Sequence, residues 1–340
     1  MSGAAALQRR KIAMMMAGIA ALAVVVGAVS FLPPSQPKPR AEVGEKVLPG
    51  FAANAAKVQL VSVTTSEESY HLKSTPTGWV IPEKGSYPVD AEKVAELIRS
   101  LSTIAYARPM TRDDKKFDRI GLGDPGQGGT GALVEVGDGS GAAFAKLLIG
   151  YRDGKSYVRM PDDLQAWSVS GEPMPPLQRG ARWLDLDIAT VPADQIAEVQ
   201  VRPQGGPTYR LLPEDATGQK FKLAPPYYAR RLVTAYAPTL TAAALSRFSP
   251  VDVAPAPGIA AGAPLAEHIT RTRSGVAIVV RSWKAGGKNW VTVDAAVGEA
   301  ASPAAVAQAQ AINAHAAGWA FALTDLDWGN FSTQLSALVD

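Results

Sequence analysis

KVQLVSVTTSEESYHLKSTPTGWVIPEKGSYPVDAEKVAELIRSL, residues 57–101, holds three short alternating runs followed by one helical run. Val58 and Leu60, then Val63 after Val61, place apolar side chains on one face of an extended chain; Tyr70 and Leu72 do the same, as do Trp79 and Ile81. Such alternation puts one face of each strand on a core. Residues 65–68 (TSEE) and 74–78 (STPTG) have the composition of turns. Three strands in succession with short turns predict an antiparallel meander. Asp90 then supplies a helix N-cap, Glu92 suits the first turn, and Val94, Leu97, Ile98 and Leu101 fall on one helical face.

The same succession returns downstream: Ile196, Val199 and Val201; Tyr209 and Leu211; Phe221 and Leu223; then Leu232, Val233, Tyr236 and Leu240 at helical spacing. Tyr209 less Tyr70, Leu211 less Leu72, Val233 less Val94, Tyr236 less Leu97, Leu240 less Leu101 and Arg247 less Arg108 all give 139. One offset joining strand and helix landmarks in order predicts a duplicated strand-strand-strand-helix module. Between the copies, strands are expected near 133–136, 146–149, 156–160 and 166–169, as an extension of the first sheet. Residues 251–264 (VDVAPAPGIAAGAP) have linker composition. Strands at 268–273, 276–283 and 290–293, a helix near 303–314 opened by Pro303, a strand at 319–323 and a terminal helix from about 330 follow. No constant offset relates this last region to either copy.

At the other end, Arg9, Arg10 and Lys11 lead into an uncharged run from Ile12 to Leu32, closed by Pro33 and Pro34. A bilayer core is crossed by roughly 20 apolar helical residues, and basic residues ahead of the run favour a cytoplasmic N-terminus. The expected fold class is therefore α+β, with an N-terminal transmembrane helix followed by tandem modules of antiparallel strands plus a helix. Its parts are a cytoplasmic tail (1–11), a span (12–32), a proline-rich extended tether (33–47), a first module with its sheet extension (48–190), a second module (191–253) and a C-terminal α+β region (254–340). The expected placement is single-pass in a bacterial inner membrane with the body in the periplasm. A cleaved signal peptide is the rival reading, since Ala28-Val29-Ser30 is an acceptable small-residue cleavage site.

Charge placement removes one class of partner. Residues 1–40 hold five bases and no acid; taking those five from 34 leaves 29 bases against 31 acids in the body. The basic excess flanks the apolar run instead of coating a folded surface, so nucleic acid is not the expected partner. With no cysteine in the chain, disulfides, thiolate metal sites and cysteine nucleophiles are all excluded.

Motifs with chemical potential are few. Gly121-Leu122-Gly123-Asp124-Pro125-Gly126 has dinucleotide-loop glycine spacing, but charged residues 113–119 precede it where a hydrophobic strand is required, so a structural turn is expected. His71, His268 and His315 lie far apart in sequence without ligand spacing. Asp113 with Asp114, Asp185 with Asp187 and Asp325 with Asp327 are paired acids that fit caps and loops, and would serve hydrolysis only if two faced each other across a cleft. Trp283, Trp290 and Trp328 suit strand packing, or a glycan or partner surface if exposed together. Arg108 and Arg247, at equivalent ends of the two modules, suit a shared structural salt bridge or a contact with a partner or anion. No catalytic, cofactor or metal residue is assigned.

Trp79 after a strand pair, Pro88-Val89-Asp90 opening a helix, Leu97 and Leu101, Gly121-Leu122 followed by Pro125, Leu148-Ile149-Gly150, Tyr157-Val158 and the repeated Tyr209-Arg210-Leu211 together resemble the bacterial family called domain of unknown function 4340. The likeness covers most of residues 48–250, with Ile120 where an aromatic is usual and a glycine-rich insertion at 126–131. It implies a single-span envelope protein accompanying ABC-type transporter components of the gliding type, with a permease or gliding-type component as partner. The expected function is a non-enzymatic accessory protein anchored through residues 12–32, the alternatives being an envelope hydrolase using paired carboxylates or a structural or glycan-binding envelope protein.

Overall fold

In the computed structural model, which describes residues 41–340, a short helix α1 (Phe51–Asn54) leads into β1 (Leu60–Thr64), where Val61 and Val63 stand opposite Leu72 and Tyr70 of β2 (Ser69–Thr75). All four are buried, as the alternation requires. β3 (Gly78–Ile81) and β4 (Tyr87–Pro88) complete the meander. The helix α2 (Ala91–Thr103) is capped by the Asp90 carboxylate, which accepts from Glu92 N at 3.0 Å, and it buries Val94, Leu97 and Leu101. It delivers the chain to β5 (Ala105–Pro109); then come β6 (Ala132–Gly137), β7 (Ala143–Arg152), β8 (Lys155–Arg159) and β9 (Trp167–Ser170). These nine strands lie in the order β4, β3, β2, β1, β6, β7, β8, β9, β5.

A second sheet is built from β10 (Ile196–Pro203), β11 (Tyr209–Pro213), β12 (Phe221–Leu223), β13 (Asp252–Pro255), β14 (Ala266–Thr272), β15 (Val276–Ala285), β16 (Lys288–Val297) and β17 (Trp319–Leu323), with helices α3 (Ala237–Ala242), α4 (Pro303–Ala316) and α5 (Asp325–Ser332). Its order is β12, β11, β10, β14, β15, β16, β17, β13. Set beside the first sheet without β4, strand for strand, the topology is the same. The C-terminal region therefore continues the second copy: β14 to β17 stand where β6 to β9 stand, and β10 pairs with β14 to join 191–253 to 254–340 in one sheet. No constant offset reaches that far because the connections differ. The first residues of β14, β15 and β16 trail those of β6, β7 and β8 by 134, 133 and 133, and β17 trails β9 by 152 once α4 has been inserted.

Where the offset is constant, register explains it. Val199 and Val201 oppose Leu211 and Tyr209 as Val61 and Val63 oppose Leu72 and Tyr70. Both tyrosine hydroxyls donate to a carbonyl in the segment after the last strand of their own sheet, Tyr70 to Leu177 O at 2.7 Å and Tyr209 to Thr333 O at 2.9 Å. Trp183 Nε1 donates to the Tyr70 hydroxyl at 2.8 Å.

The duplicated helix is where the expectation fails. Val233, Tyr236 and Leu240 are 51%, 67% and 42% exposed, whereas their counterparts Val94, Leu97 and Leu101 are buried. Pro238 cannot donate to the carbonyl four residues back and its ring would clash there, so a helix through 232–240 is blocked. The chain forms a helix only from Ala237, with Pro238 in the first turn, and continues as a 3-10 turn over Ala244–Arg247. The tether also departs from expectation at its end. Residues 44–47 lie along β5, Gly44 N donating to Tyr106 O at 2.7 Å and Tyr106 N to Glu45 O at 2.9 Å, with Val47 buried. The expected span 12–32 lies outside the described residues; among those described, no helix is long and apolar enough to cross a membrane.

Residues 43–340 form one compact unit, and the β3–β4 turn of the first sheet meets β13 and β17 of the second. Tyr87 is buried, with its ring edge-on to Trp319 at 4.9 Å and to Phe321 at 6.1 Å, and its hydroxyl donates to Asp185 O at 3.0 Å. Gly85 (φ 71°) comes so close to Pro255 that a Cβ there would lie 2.9 Å from its ring. Tyr87→Ala is expected to destabilise the fold by about 3–5 kcal/mol, measured by urea unfolding, against about 1 kcal/mol for Tyr87→Phe, which loses only the hydroxyl bond.

His268 is enclosed in the second half, its Nε2 2.9 Å from Thr241 O and its ring edge-on to Phe331 at 5.1 Å. Burial pushes its pKa from 6.5 down to about 4. The unfolded chain then binds a proton that the native state refuses, so this contribution to stability is complete above 6.5 and is lost as pH falls from 6.5 toward about 4. Urea unfolding is expected to show up to about 1.4 kcal/mol lost per pH unit in that window, and His268→Leu to flatten the slope.

Candidate functional site

A cleft lies in the first half, where the sheet comes apart. Pairing between β8 and β9 is limited to Tyr157 with Ser168 and Val158 with Trp167. Beyond it, Lys155 and Ser156 remain paired outward with Arg152 and Tyr151, and Val169 and Ser170 with Tyr106 and Ala105, but no pairing bridges the two sides. Between them opens a space of about 830 Å³.

Its third wall is residues 171–178 (GEPMPPLQ), which is rich in proline and held firmly. Ser100 Oγ of α2 donates to Pro173 O at 2.7 Å, Glu172 N donates to Thr103 Oγ1 at 3.3 Å, and Tyr70 holds Leu177 O. Gly171 adopts φ 125° and packs against the end of α2, where a Cβ would stand 3.0 Å from Thr103 O. The wall is thus positioned before anything binds.

Chemically the cleft is mixed. Val169, Met174 and the prolines supply apolar surface, Ser156, Ser168 and Ser170 hydroxyls, and Arg108 and Lys155 positive charge, with Glu172 the one acid on the lining. Arg108 sits on β5 past a bulge in its pairing with β9, exposed, its Nη2 3.7 Å from Met110 Sδ. Neither Arg108 nor Lys155 has a carboxylate within ion-pair distance among the described residues.

Arg247, the other arginine singled out by the repeat, ends the 3-10 turn after α3, is exposed, and lines none of the three clefts described in this section. The shared salt bridge expected of the pair is not formed among the described residues; Arg247 ends a 3-10 turn and Arg108 lies on a strand. Lys155, Ser156, Ser170 and the 171–178 wall escaped sequence reasoning. The proline run was the signal for a fixed wall, but a break in strand pairing leaves no mark in composition.

Two smaller clefts of about 520 and 580 Å³ lie at the junction of the sheets, the first lined by Asp325 and the second by Asp185 and Asp187. Asp325 accepts from Asn289 Nδ2 at 2.6 Å, while Asp327 N and its carboxylate are both engaged by Thr324 as the N-cap of α5. Asp185 is 3.8 Å from His315 Nδ1, and Asp187 lines the same cleft. Asp113 and Asp114 lie elsewhere; Asp113 caps a 3-10 helix and pairs with Lys116 at 3.1 Å. His71 pairs with Glu83 on the surface.

At the centre of the junction Asp252, 14% exposed, accepts from Lys84 at 2.7 Å and Lys288 at 2.9 Å. Burial pushes its pKa up, but hydrogen bonds from Lys84 and then Lys288 outweigh this and hold it below 3.8. Trp283 and Trp290 are register partners across β15 and β16 and are both buried, so these two do not form an exposed aromatic face. Among the described residues, no group of three or more His, Cys, Asp or Glu side chains is placed to hold a metal.

The glycine motif is a turn. Asp118 accepts from Thr130 N at 2.9 Å and its carboxylate fills the space beside Gly123, while Asp124 accepts from Gly126 N at 2.8 Å. Gly121 and Gly150 pack backbone to backbone: a Cβ at Gly150 would lie 2.3 Å from Gly121 O. These are the glycines on which the family resemblance partly rests, and their need for contact explains why both lack a side chain.

A nine-stranded antiparallel sheet with a capped helix, followed by an eight-stranded sheet on the same plan, defines an α+β body with two large antiparallel sheets. The chain matches the family described as Domain of unknown function (DUF4340) over residues 79–256, more than half its length, and it belongs to that family. Neither curated proteins nor solved structures give a match.

Asp252→Asn is expected to cost about 1–3 kcal/mol at pH 7, since both lysines lose their counter-charge and one of them its acceptor oxygen in a half-buried setting. A carboxyl held low contributes stability above its unfolded pKa and loses it as pH falls through the folded value. The difference between wild type and variant in urea unfolding should therefore shrink as pH is lowered below 3.8.

Proposed function

We infer that this protein is a non-enzymatic accessory subunit of an ABC-type transport or envelope complex, held at a bacterial inner membrane by residues 12–32 with its body in the periplasm. The observation that carries the non-enzymatic part is the use of the junction carboxylates. Asp252 is clamped by two lysines, Asp325 by Asn289, and Asp327 by its capping threonine. Asp252 thereby joins the two sheets through Lys84, while Asp325 and Asp327 brace the second half. What stays uncommitted is surface suited to binding: the split-sheet cleft with Arg108 and Lys155, and the exposed segment bearing Tyr228, Val233, Tyr236 and Leu240. Tyrosine and arginine together are the residues that dominate protein interfaces. Membrane attachment is supported by the basic triplet before an uncharged run of spanning length, and the transporter partner by the family resemblance.

The reading predicts that detergent-solubilised full-length protein co-purifies with permease or gliding-type transporter subunits, identified by mass spectrometry, and that a chain beginning at Glu45 loses those contacts made within the membrane. Recovery of no transporter subunit by either form, both being folded, would remove the accessory role.

A further inference from the structure

The two copies treat the same weakness differently. In each sheet the sixth and seventh strands of the shared order, β8 with β9 and β16 with β17, pair over only part of their length. An unpaired strand edge presents backbone N–H and C=O groups that require partners. In the second copy the free stretch of β16 is supplied from within. Ala295 N donates to Asn313 Oδ1 and Asn313 Nδ2 donates to Ala295 O, both at 2.8 Å, so one side-chain amide of α4 stands in for a peptide unit of a neighbouring strand. The first copy has no helix between β8 and β9 and no such amide. Its strands zip at the loop end and separate at Lys155 and Ser156 on one side and Val169 and Ser170 on the other. The segment after β17 is α5, packed on the second sheet through Phe331, which meets His268 and Phe248. The segment after β9 is the proline-rich wall, which stands away from β8 and leaves the cleft.

We propose that the split between β8 and β9 is a binding site for an extended acidic segment of a partner protein, which inserts as an additional strand. The backbone of the inserted segment meets the free edges on both sides, as Asn313 does on one side in the other copy. Side chains of alternate residues point to the two faces of the sheet. Arg108 and Lys155, without an ion-pair partner among the described residues, select for carboxylates over amines, and Glu172, the one acid on the lining, does not balance them. This chain's own residues 33–40 are a poor occupant, because they carry Lys38 and Arg40, no acid, and four prolines that cannot donate to a ladder. The site deepens the binding-protein reading and rests on it for the source of the peptide alone.

The experiment uses full-length protein in detergent and fluorescent N-acetylated hexapeptides of alternating valine and glutamate. Matching peptides carry lysine for glutamate, or N-methyl groups on one or the other set of alternate amides. Saturable anisotropy for the glutamate peptide is expected, with slowed amide exchange at 155–156 and 168–171. N-methylation of the set facing an edge should weaken binding about tenfold or more, the lysine peptide should bind more weakly, and Arg108→Ala with Lys155→Ala should weaken the glutamate peptide several-fold at unchanged melting temperature. Ser156→Trp, which fills the cleft, should abolish binding.

Absence of saturable binding overturns the site. So does indifference to N-methylation of either set, or exchange protection confined to 225–240. Self-association through residues 155–170, seen as a dimer by sedimentation that excludes the peptide, would also overturn it by making a second copy the occupant. The N-methyl comparison is made on unaltered protein and decides the matter even if a variant fails to fold. Because the peptides are synthetic, their failure would leave the co-purification result untouched.

Discussion

Lys84 and Asp252 meet at 2.7 Å with side chains only 20% and 14% exposed, and beside them Tyr87 is driven edge-on into Trp319. A charge pair withdrawn from water is costly unless the acceptor's remaining lone pairs are filled. Here Lys288 and Val253 N fill them, at 2.9 Å each. Two sheets of the same plan could otherwise move as independent domains, since inter-domain interfaces tend to be polar and mobile. The short turn at 82–88 prevents this by combining a desolvated ion pair, an aromatic contact and a glycine approach too close for any side chain. The clefts at the junction owe their charged lining to this bracing.

Duplication followed by divergence explains most of what distinguishes the halves. Both keep the valine pairs opposite tyrosine and leucine, and both keep the tyrosine hydroxyl on a carbonyl beyond the last strand, because each anchors a core at little cost in exposed backbone. They differ where a proline or an insertion intervened. Pro238 reduced the second crossing helix to six residues and left Val233, Tyr236 and Leu240 on the surface. The insertion of α4 brought Asn313 onto Ala295 at the second sheet's split, while the first stayed open.

Much of this was legible along the chain. Period-two alternation located β1 to β3 and β10 to β12, the Asp90 cap opened α2, and a shared offset exposed the repeat, since local patterns follow from which face must be buried. The glycine motif read correctly as a turn because no strand preceded it. The second helix was misread: Leu232, Val233, Tyr236 and Leu240 have helical spacing, and spacing records a hydrophobic pattern without registering the lost donor and the clash that Pro238 brings. The cleft was invisible for a different reason. Lys155, Ser156, Val169 and Ser170 are unremarkable as residues, and only the failure of two strands to meet makes them a site.

The sequence by itself determined the helix and, apart from β4 and β5, the strand positions of the first copy, the existence of a second copy, the lack of cysteine and the basic, uncharged-run character of the N-terminal segment. These follow from side-chain chemistry and spacing along one chain. Only the tertiary structure decided that the C-terminal region completes the second sheet, that Asp252 meets Lys84 across the junction, and that the β8–β9 edge is open while Asn313 bonds Ala295 on its counterpart. Each of those depends on which distant backbone groups come within hydrogen-bonding reach of one another, and that is a property of packing that no local pattern carries.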